Sequence, residues 1–331
     1  MPHGPCCSCT RSGLGQTSAL VVEARLRRDT RVSLRWLVGV WVLTMASVVV
    51  PLSASAQTTS QAQANAAAVA DMVPHIRSAA AIIYNPQTGD VLWENNSHDQ
   101  RSIASLTKIM TAVAFVADNP DLERVVIVQR ADVTRASVTY LRAGERVSVR
   151  NLLHLTLIAS DNAAARVLAR VSPGGSVEFI HRMNDTAAHM GLTNTHYADP
   201  SGLDARNVSS AYDLSHLIAF ATSHPTLGPI MRSPQFTVHA GRRTFNIRNT
   251  NKLLGSDVDV VGGKTGFIRK AGYCLATLLQ VPQGSQVAVV VLGATNSAVR
   301  FAEARNLFNW AVVRTTGLLT GVPVADAVRR P

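Results

Sequence analysis

The sequence predicts an α/β fold of the α+β kind, in which a mainly antiparallel sheet is built from both ends of the chain. Apolar stretches with strand character, bounded by turn residues, lie near both ends at 79–84, 91–93, 258–267, 273–279 and 287–292. The middle of the chain instead carries longer apolar runs that are typical of helices. We therefore expect a helical subdomain packed on a sheet.

Each element has its own local signal. The first two strands are expected to form a β-hairpin around the turn at 85–89. An apolar run from Ile109 to Val116 predicts the first helix. Further helices are expected at 152–159, 163–170, 176–190 and 210–223, the last opened by a capping box at Ser210 and Asp213. Extended segments are expected at 125–128, 140–149, 236–239 and 244–247, and a closing amphipathic helix at 298–313.

The first 56 residues have the pattern of a secretory signal peptide. Arginines between Arg25 and Arg35 precede an apolar run at 36–52, and the small residues Ala54 and Ala56 predict cleavage after Ala56. An uncleaved membrane anchor is the alternative, although the apolar run is slightly short for a span. Translation from a start near Arg25 would also account for the unusually long basic region.

The whole chain has the composition of a globular protein with a sizeable core. Hydrophobic residues make up 47% of the sequence and the mean hydropathy is +0.12. A Gln- and Ala-rich segment at 57–73 is expected to be a flexible tether. Without the first 56 residues the net charge falls from +11 to +7, because six arginines and two acids lie there. A basic surface of this kind could bind anionic cell-wall polymers, or the charges could simply be solvated. No motif indicates nucleic-acid binding.

Cysteine and histidine usage argues against a disulfide or a metal site. Cys6, Cys7 and Cys9 fall in the predicted signal, which leaves Cys274 without a partner. The ten histidines are scattered, with no zinc spacing and no His-Glu-x-x-His motif. We expect neither a metal nor another cofactor.

Ser105 and Lys108 form a candidate catalytic pair at the start of the first helix. Their spacing places both side chains on one face of the helix. A buried lysine can lose its proton and then activate the serine hydroxyl as a nucleophile, while helix N–H groups stabilise an oxyanion. The alternative is a helix cap followed by a solvated lysine. The chain has four lysines against many arginines, which favours a position where the proton must be lost.

A second motif, Ser160-Asp161-Asn162, lies between two predicted helices. The Ser160 hydroxyl could relay a proton between Lys108 and a leaving group, and the Asn162 amide could hold a substrate peptide bond. The alternative is an N-cap for the helix that begins near residue 163.

A third motif, Lys264-Thr265-Gly266, lies in a predicted strand, where Lys264 and Gly266 face the same way. Glycine in a strand often marks the close approach of another backbone. The Lys264 ammonium could bind a substrate carboxylate, and the Phe267 N–H could share an oxyanion with that of Ser105. The alternative is an edge strand with a solvated lysine.

The three motifs in this order resemble the signature of the penicillin-recognising serine enzymes. The wider sequence is similar to low-molecular-mass penicillin-binding proteins, the D-alanyl-D-alanine carboxypeptidases and endopeptidases. That similarity spans about 74–313 and is carried by the segments 141–145, 157–164, 183–184, 198–203, 263–267 and 271–274.

This resemblance implies a β-lactamase/transpeptidase-like fold, with a five-stranded antiparallel sheet flanked by helices and a helical subdomain. It implies a catalytic domain at 74–315, followed by a tail at 316–331. It assigns catalysis to Ser105, Lys108 and Ser160, and substrate binding to Asn162, Lys264, Thr265, Gly266 and Phe267. The implied substrates are peptidoglycan stem peptides, with β-lactams as inhibitors, and the implied location is periplasmic or cell-wall associated.

The expected activity is a serine-type D-Ala-D-Ala carboxypeptidase that works through an acyl-enzyme. The alternative is a DD-endopeptidase that cuts peptidoglycan cross-links. Many carboxypeptidases of the family add a C-terminal β-domain and an amphipathic anchor, and the short sequence after Val313 leads us to expect neither here, which favours the alternative. We expect no stable membrane anchor after signal cleavage.

A β-lactamase is less expected, because the sequence from Glu178 to Arg182 lacks the Glu-x-x-x-Asn of class A enzymes. A non-catalytic wall-binding module is a further alternative. The sequence departs from the family pattern at Asp161, the position after Ser160, where many family members have a smaller residue.

Overall fold

The computed structural model describes residues 73–282 and 284–319. The predicted signal peptide at 1–56, nearly all of the tether and most of the tail lie outside these residues. The described residues contain two larger antiparallel sheets, a short two-stranded ladder and eight α-helices. The α-helices are α1 (Thr107–Val116), α2 (Arg130–Val133), α3 (Val149–Leu157), α4 (Asn162–Val171), α5 (Gly175–His189), α6 (Ala211–Ser223), α7 (Leu227–Arg232) and α8 (Ser297–Leu319).

The main sheet confirms the expected fold class, because its five strands come from the two ends of the domain. Its members in chain order are β1 (Ala80–Asn85), β2 (Asp90–Asn95), β9 (Val260–Ile268), β10 (Gly272–Gln280) and β11 (Gln286–Ala294). The spatial order is β2-β1-β11-β10-β9, and all neighbours are antiparallel. The hairpin predicted around 85–89 is therefore present, and β9 is an edge strand.

The second sheet has four strands in the order β4-β5-β7-β8: β4 (Val125–Ile127), β5 (Arg146–Ser148), β7 (Gln235–Ala240) and β8 (Arg243–Arg248). The sequence indicated extended structure in all four places but did not separate them from the main sheet. Helix α7 was not predicted. The two-residue strands β3 (Arg101–Ser102) and β6 (Val208–Ser209) form the remaining ladder.

Both faces of the main sheet are covered. Ile82 of β1 belongs to the large core shared with the helical subdomain, whereas its neighbour Ile83 belongs to a second cluster with α8. This alternation follows from the two-residue period of a strand. Helix α1 packs against α3, α4, α5 and α6, and all ten of its residues are buried.

Helix ends follow the expected capping chemistry. The Ser210 hydroxyl accepts a hydrogen bond from the Asp213 backbone N–H and caps α6, as its position in the sequence predicts. Ser148 caps α3 in the same way.

None of the helices at 73–282 and 284–319 combines the length and the hydropathy that a membrane span requires.

Replacing either Ile82 or Ile83 with alanine should lower the free energy of unfolding by about 2 to 5 kcal/mol, since each side chain is fully buried on one face of the sheet. Val91→Ala is the control, because that side chain is 38% exposed and its loss should change stability by less than about 0.5 kcal/mol. Urea unfolding followed by circular dichroism measures all three. If Ile83→Ala lowers the free energy of unfolding no more than Val91→Ala does, the packing of α8 over this face of the sheet would be contradicted.

Candidate active site

Ser105 lies in a single 3₁₀ turn, Ala104–Leu106, that leads into α1. Ala104 has a φ of 49°, an unusual left-handed conformation for alanine, and it turns the chain immediately before Ser105. The Ile103 N–H donates to the Asn207 carbonyl at 3.1 Å and fixes the approach to the turn. Ser105 is half-buried, so its hydroxyl remains open to a substrate.

Two glycines hold the Ser105 turn by close backbone approach. A Cβ on Gly202 would lie 2.1 Å from the Ala104 carbonyl oxygen. A Cβ on Gly266 would lie 2.8 Å from the Ile103 carbonyl oxygen and 3.2 Å from the Ser105 nitrogen. The close approach expected for Gly266 from its position in a strand is therefore present.

Lys108 is fully buried one helical turn after Ser105. Its Nζ lies 3.1 Å from Ser105 Oγ and donates to Asn162 Oδ1 at 2.6 Å and to the Ser201 carbonyl. None of the salt bridges within the described ranges involves this lysine. A solvated lysine, the alternative reading of this motif, is therefore wrong.

The pKa of Lys108 is lowered to about 7, chiefly by burial, with the nearby Arg166 adding to the effect and Asp199 and Asp161 opposing it. A neutral amine has two N–H bonds and one lone pair. Because two carbonyl-type oxygens take the N–H donors, the lone pair is left for the Ser105 hydroxyl. This geometry allows the amine to remove the hydroxyl proton.

Ser160-Asp161-Asn162 forms the corner between α3 and α4. Asn162 Nδ2 donates to the Ala136 carbonyl at 2.7 Å, which turns Oδ1 toward Lys108. Ser160 has a φ of 60° and is half-buried. Among the described residues its hydroxyl has no hydrogen-bond partner.

Asp161 is the buried N-cap of α4. Its carboxylate accepts hydrogen bonds from the N–H of Ala164 at 2.9 Å, the N–H of Tyr140 at 2.6 Å and the Thr139 hydroxyl at 3.0 Å. Burial raises the pKa of this carboxyl group, and these three hydrogen bonds oppose the rise. The departure noted in the sequence therefore provides both the helix cap and an anchor for the segment at 139–140.

The strand β9 brings the third motif to the same site. Lys264 is fully buried, and its Nζ donates to the Thr265 carbonyl at 3.0 Å. Burial lowers its pKa well below the ordinary value, and the nearby cations Lys108 and Arg300 lower it further. The strand is at an edge, but the alternative of a solvated lysine does not hold.

Thr265 and Phe267 follow Lys264 along β9. The Thr265 hydroxyl donates to that of Thr250 at 2.7 Å. The Phe267 ring is 51% exposed and stacks on Tyr273 with ring centroids 4.2 Å apart.

Several groups at the site were not assigned a role from the sequence. They are the Ser201 carbonyl, Asp199, Asn207 and Arg300, whose guanidinium donates to the carbonyls of Gly266 and Cys274. A backbone carbonyl leaves no side-chain signature. Only the glycine in 198–203 could have signalled that this segment approaches another backbone closely.

Comparison with known proteins agrees with this geometry. The sequence model of the D-alanyl-D-alanine carboxypeptidase family matches residues 64–296. The D-alanyl-D-alanine endopeptidase of Pseudomonas aeruginosa is 34% identical over 260 residues, covering 77% of this chain and 83% of that protein. The endopeptidase of Escherichia coli is 34% identical over 265 residues, covering 78% and 84%.

Solved structures give the same result. The crystal structure of the Streptomyces K15 DD-transpeptidase has a TM-score of 0.69 and 30% sequence identity, and the match covers 72% of this chain and 98% of that one. The fold and the site together define a serine hydrolase of the penicillin-recognising kind. The chain belongs to the D-alanyl-D-alanine carboxypeptidase family.

Gly266→Ala should slow the reaction of Ser105 with fluorescent penicillin by about tenfold or more, because a Cβ would displace the Ser105 turn by a fraction of an ångström. Gly263→Ala is the matched control on the opposite face of β9, where a Cβ would instead meet the side chains of Asn251 and Thr277. Labelling rates are compared per folded molecule, with folding measured by thermal melting. Equal rates for the two variants would contradict the role of Gly266.

Proposed function

We propose that this protein is an exported serine-type D-Ala-D-Ala carboxypeptidase that acts on peptidoglycan stem peptides through an acyl-enzyme and is inhibited by β-lactams. The observation that carries the proposal is the buried Lys108 amine, whose Nζ lies 3.1 Å from Ser105 Oγ and whose pKa is about 7. A nucleophile and a base at hydrogen-bonding distance are the minimum for acyl transfer by serine.

In the proposed acylation step, Lys108 takes the hydroxyl proton while Ser105 Oγ attacks the carbonyl of the penultimate D-Ala. The backbone N–H groups of Ser105 and Phe267 stabilise the oxyanion. The C–N bond then breaks, and the amine of the departing D-Ala receives the proton through the Ser160 hydroxyl. Water hydrolyses the Ser105 ester, with Lys108 again accepting a proton.

Substrate binding is assigned to the walls of the site. Asn162, whose amide bridges Lys108 and Ala136, contacts the peptide bond of the substrate. Lys264 binds the terminal carboxylate of the substrate, whose negative charge favours the protonated form of this buried amine, and Thr265 and Gly266 place that carboxylate beside the Ser105 turn. Phe267 adds an exposed aromatic surface next to the leaving group.

A second candidate activity is cleavage of cross-links by a DD-endopeptidase. The relatives from Pseudomonas aeruginosa and Escherichia coli named above are endopeptidases. Both reactions cut a bond that follows D-Ala and pass through the same acyl-enzyme, so they differ only in the size of the leaving amine. A β-lactamase is less well supported, because Glu178 is exposed in the first turn of α5.

We further propose a signal peptide at 1–56, a tether at 57–73, a catalytic domain at 74–315 and a tail at 316–331, with the mature protein periplasmic or cell-wall associated. The composition of the first 56 residues supports export. The family match begins at residue 64, inside the proposed tether. No motif in the sequence supports a nucleic-acid partner.

Ser105→Ala should abolish D-Ala release from a pentapeptide monomer, cleavage of a cross-linked dimer and labelling by fluorescent penicillin, because all three require the same nucleophile. Mass spectrometry of the muropeptides and gel fluorescence measure these activities. The wild-type spectra also separate the carboxypeptidase from the endopeptidase by which substrate is consumed.

Ser102→Ala is the matched control for that experiment, because Ser102 is buried nearby and its hydroxyl has no hydrogen-bond partner among the described residues. This variant should keep all three activities. Labelling that persists in Ser105→Ala would refute the nucleophile, and rapid turnover of nitrocefin by the wild type would favour a β-lactamase.

The acylation rate should rise with pH through about 7 and fall on the acid side, because burial lowers the pKa of Lys108 and the neutral amine is the base. Lys108→Arg should be inactive across the range, since a guanidinium stays protonated. Lys252→Arg, at an exposed lysine, should behave as wild type. An acylation rate that stays constant from pH 8 down to pH 5 would contradict Lys108 as the base.

A further inference from the structure

We infer that Asp199 is a positioning residue for Lys108: its carboxylate folds the turn that presents the Ser201 carbonyl to the amine, and its negative charge keeps the amine basic. This inference rests on the proposed function, in which Lys108 is the base. It assigns a role to a half-buried acid that makes no direct contact with the Ser105 nucleophile.

The turn is built on the Asp199 carboxylate. One oxygen, Oδ1, accepts the Gly202 N–H at 2.7 Å and an N–H of the Asn207 side chain. The other oxygen, Oδ2, accepts the Ser201 hydroxyl at 2.7 Å. Three donors from the eight residues after Asp199 therefore converge on its carboxylate. One of the three donating residues, Ser201, is fully buried.

The same turn is fitted tightly against the catalytic pair. The Ser201 carbonyl accepts an N–H from Lys108, and the neighbouring Pro200 carbonyl accepts the Thr111 hydroxyl at 2.6 Å, one turn further along α1. Gly202 touches the turn that carries Ser105 so closely that no Cβ would fit. A shift of this segment would therefore move the acceptor of Lys108 and the support of Ser105 together.

Four charged groups lie around Lys108, on three elements of the fold. Asp199 follows α5, Asp161 begins α4, Arg166 lies within α4 and Lys264 lies on β9. Burial and Arg166 disfavour the Lys108 ammonium, whereas the two acids favour it. Of the acids, Asp199 has the larger effect on the pKa of Lys108. Without it, the amine would be a weaker base at neutral pH.

Asparagine separates the geometric part of this role from the electrostatic part. In Asp199→Asn the amide oxygen can still accept from Gly202 and Asn207, and the new NH₂ can donate to the Ser201 hydroxyl, which is able to accept. The turn keeps its three contacts and only the negative charge is lost. A purely structural residue would tolerate this change without altering the titration of Lys108.

The test is the rate of acylation by fluorescent penicillin from pH 5 to pH 10. The wild-type rate should fall below pH about 7. In Asp199→Asn the acid limb of the pH–rate profile, where the rate falls with decreasing pH, should move to lower pH by on the order of one unit, because removing an anion lowers the pKa of the Lys108 amine. The maximal rate at high pH should be reduced a few-fold, because the amine is then a weaker base. Asp204→Asn, at an acid paired with Arg206 on the surface of the same loop, should leave the limb in place.

An acid limb in Asp199→Asn that coincides with the wild-type limb would overturn the inference, whatever the plateau rate. If Asp199→Asn melts far below the wild type, Asp199→Glu provides the second test. It keeps the charge, so its limb should stay within a few tenths of a pH unit of wild type, and a shift as large as that of the asparagine variant would overturn the inference. Absence of an acid limb in the wild type would instead refute Lys108 as the base, so the two failures are distinguishable.

Discussion

The burial of the Lys108 amine without a carboxylate partner is the constraint on which the site depends. An ammonium taken out of water loses several kcal/mol of solvation unless an ion pair replaces it, and a lysine can escape that loss by giving up its proton. Hydrogen bonds to Asn162 and Ser201 satisfy the neutral amine. Lys264 is also buried, and its proximity to Lys108 disfavours a charge on both amines together. The low-dielectric interior thus favours the neutral amine, which is the form that the proposed function requires.

The fold supplies the partners of this amine from distant parts of the chain. Asn162 and Ser201 lie 54 and 93 positions after Lys108, and Gly266 arrives on the last third of the sequence. Because β9 is the edge strand of the main sheet, its outer side is free to approach the Ser105 turn. Helix α1, buried on all sides, fixes the distance between the helical subdomain and that edge. The Asn162 side chain and the Ser201 carbonyl therefore hold the Lys108 amine in place, in the way that a third side chain orients the base of other serine enzymes.

The sequence predicted the parts of this arrangement that depend on side-chain pattern. The hairpin around 85–89, the Ser210 cap and the five-stranded sheet were indicated by side-chain period, turn chemistry or family resemblance. The second sheet could not be separated, because β4 and β5 have three residues each and a pattern that short fits many structures. Nor could the sequence show that Ser201 offers its carbonyl rather than its hydroxyl to Lys108, since that choice is made by tertiary packing.

Backbone strain among the described residues concentrates where these parts meet. Six residues other than glycine have positive φ angles: Asn96, Ala104, Asn119, Arg135, Ser137 and Ser160. The two asparagines are of a type that tolerates this conformation. The other four lie beside the residues of the candidate site: Ala104 before Ser105, Ser160 two residues before Asn162, and Arg135 and Ser137 on either side of the carbonyl that fixes the Asn162 amide. Each costs about 1 to 3 kcal/mol and persists only where surrounding contacts enforce it. The stability given up at these positions accompanies the close placement of Ser105, Lys108 and Asn162, on which the proposed proton transfer depends.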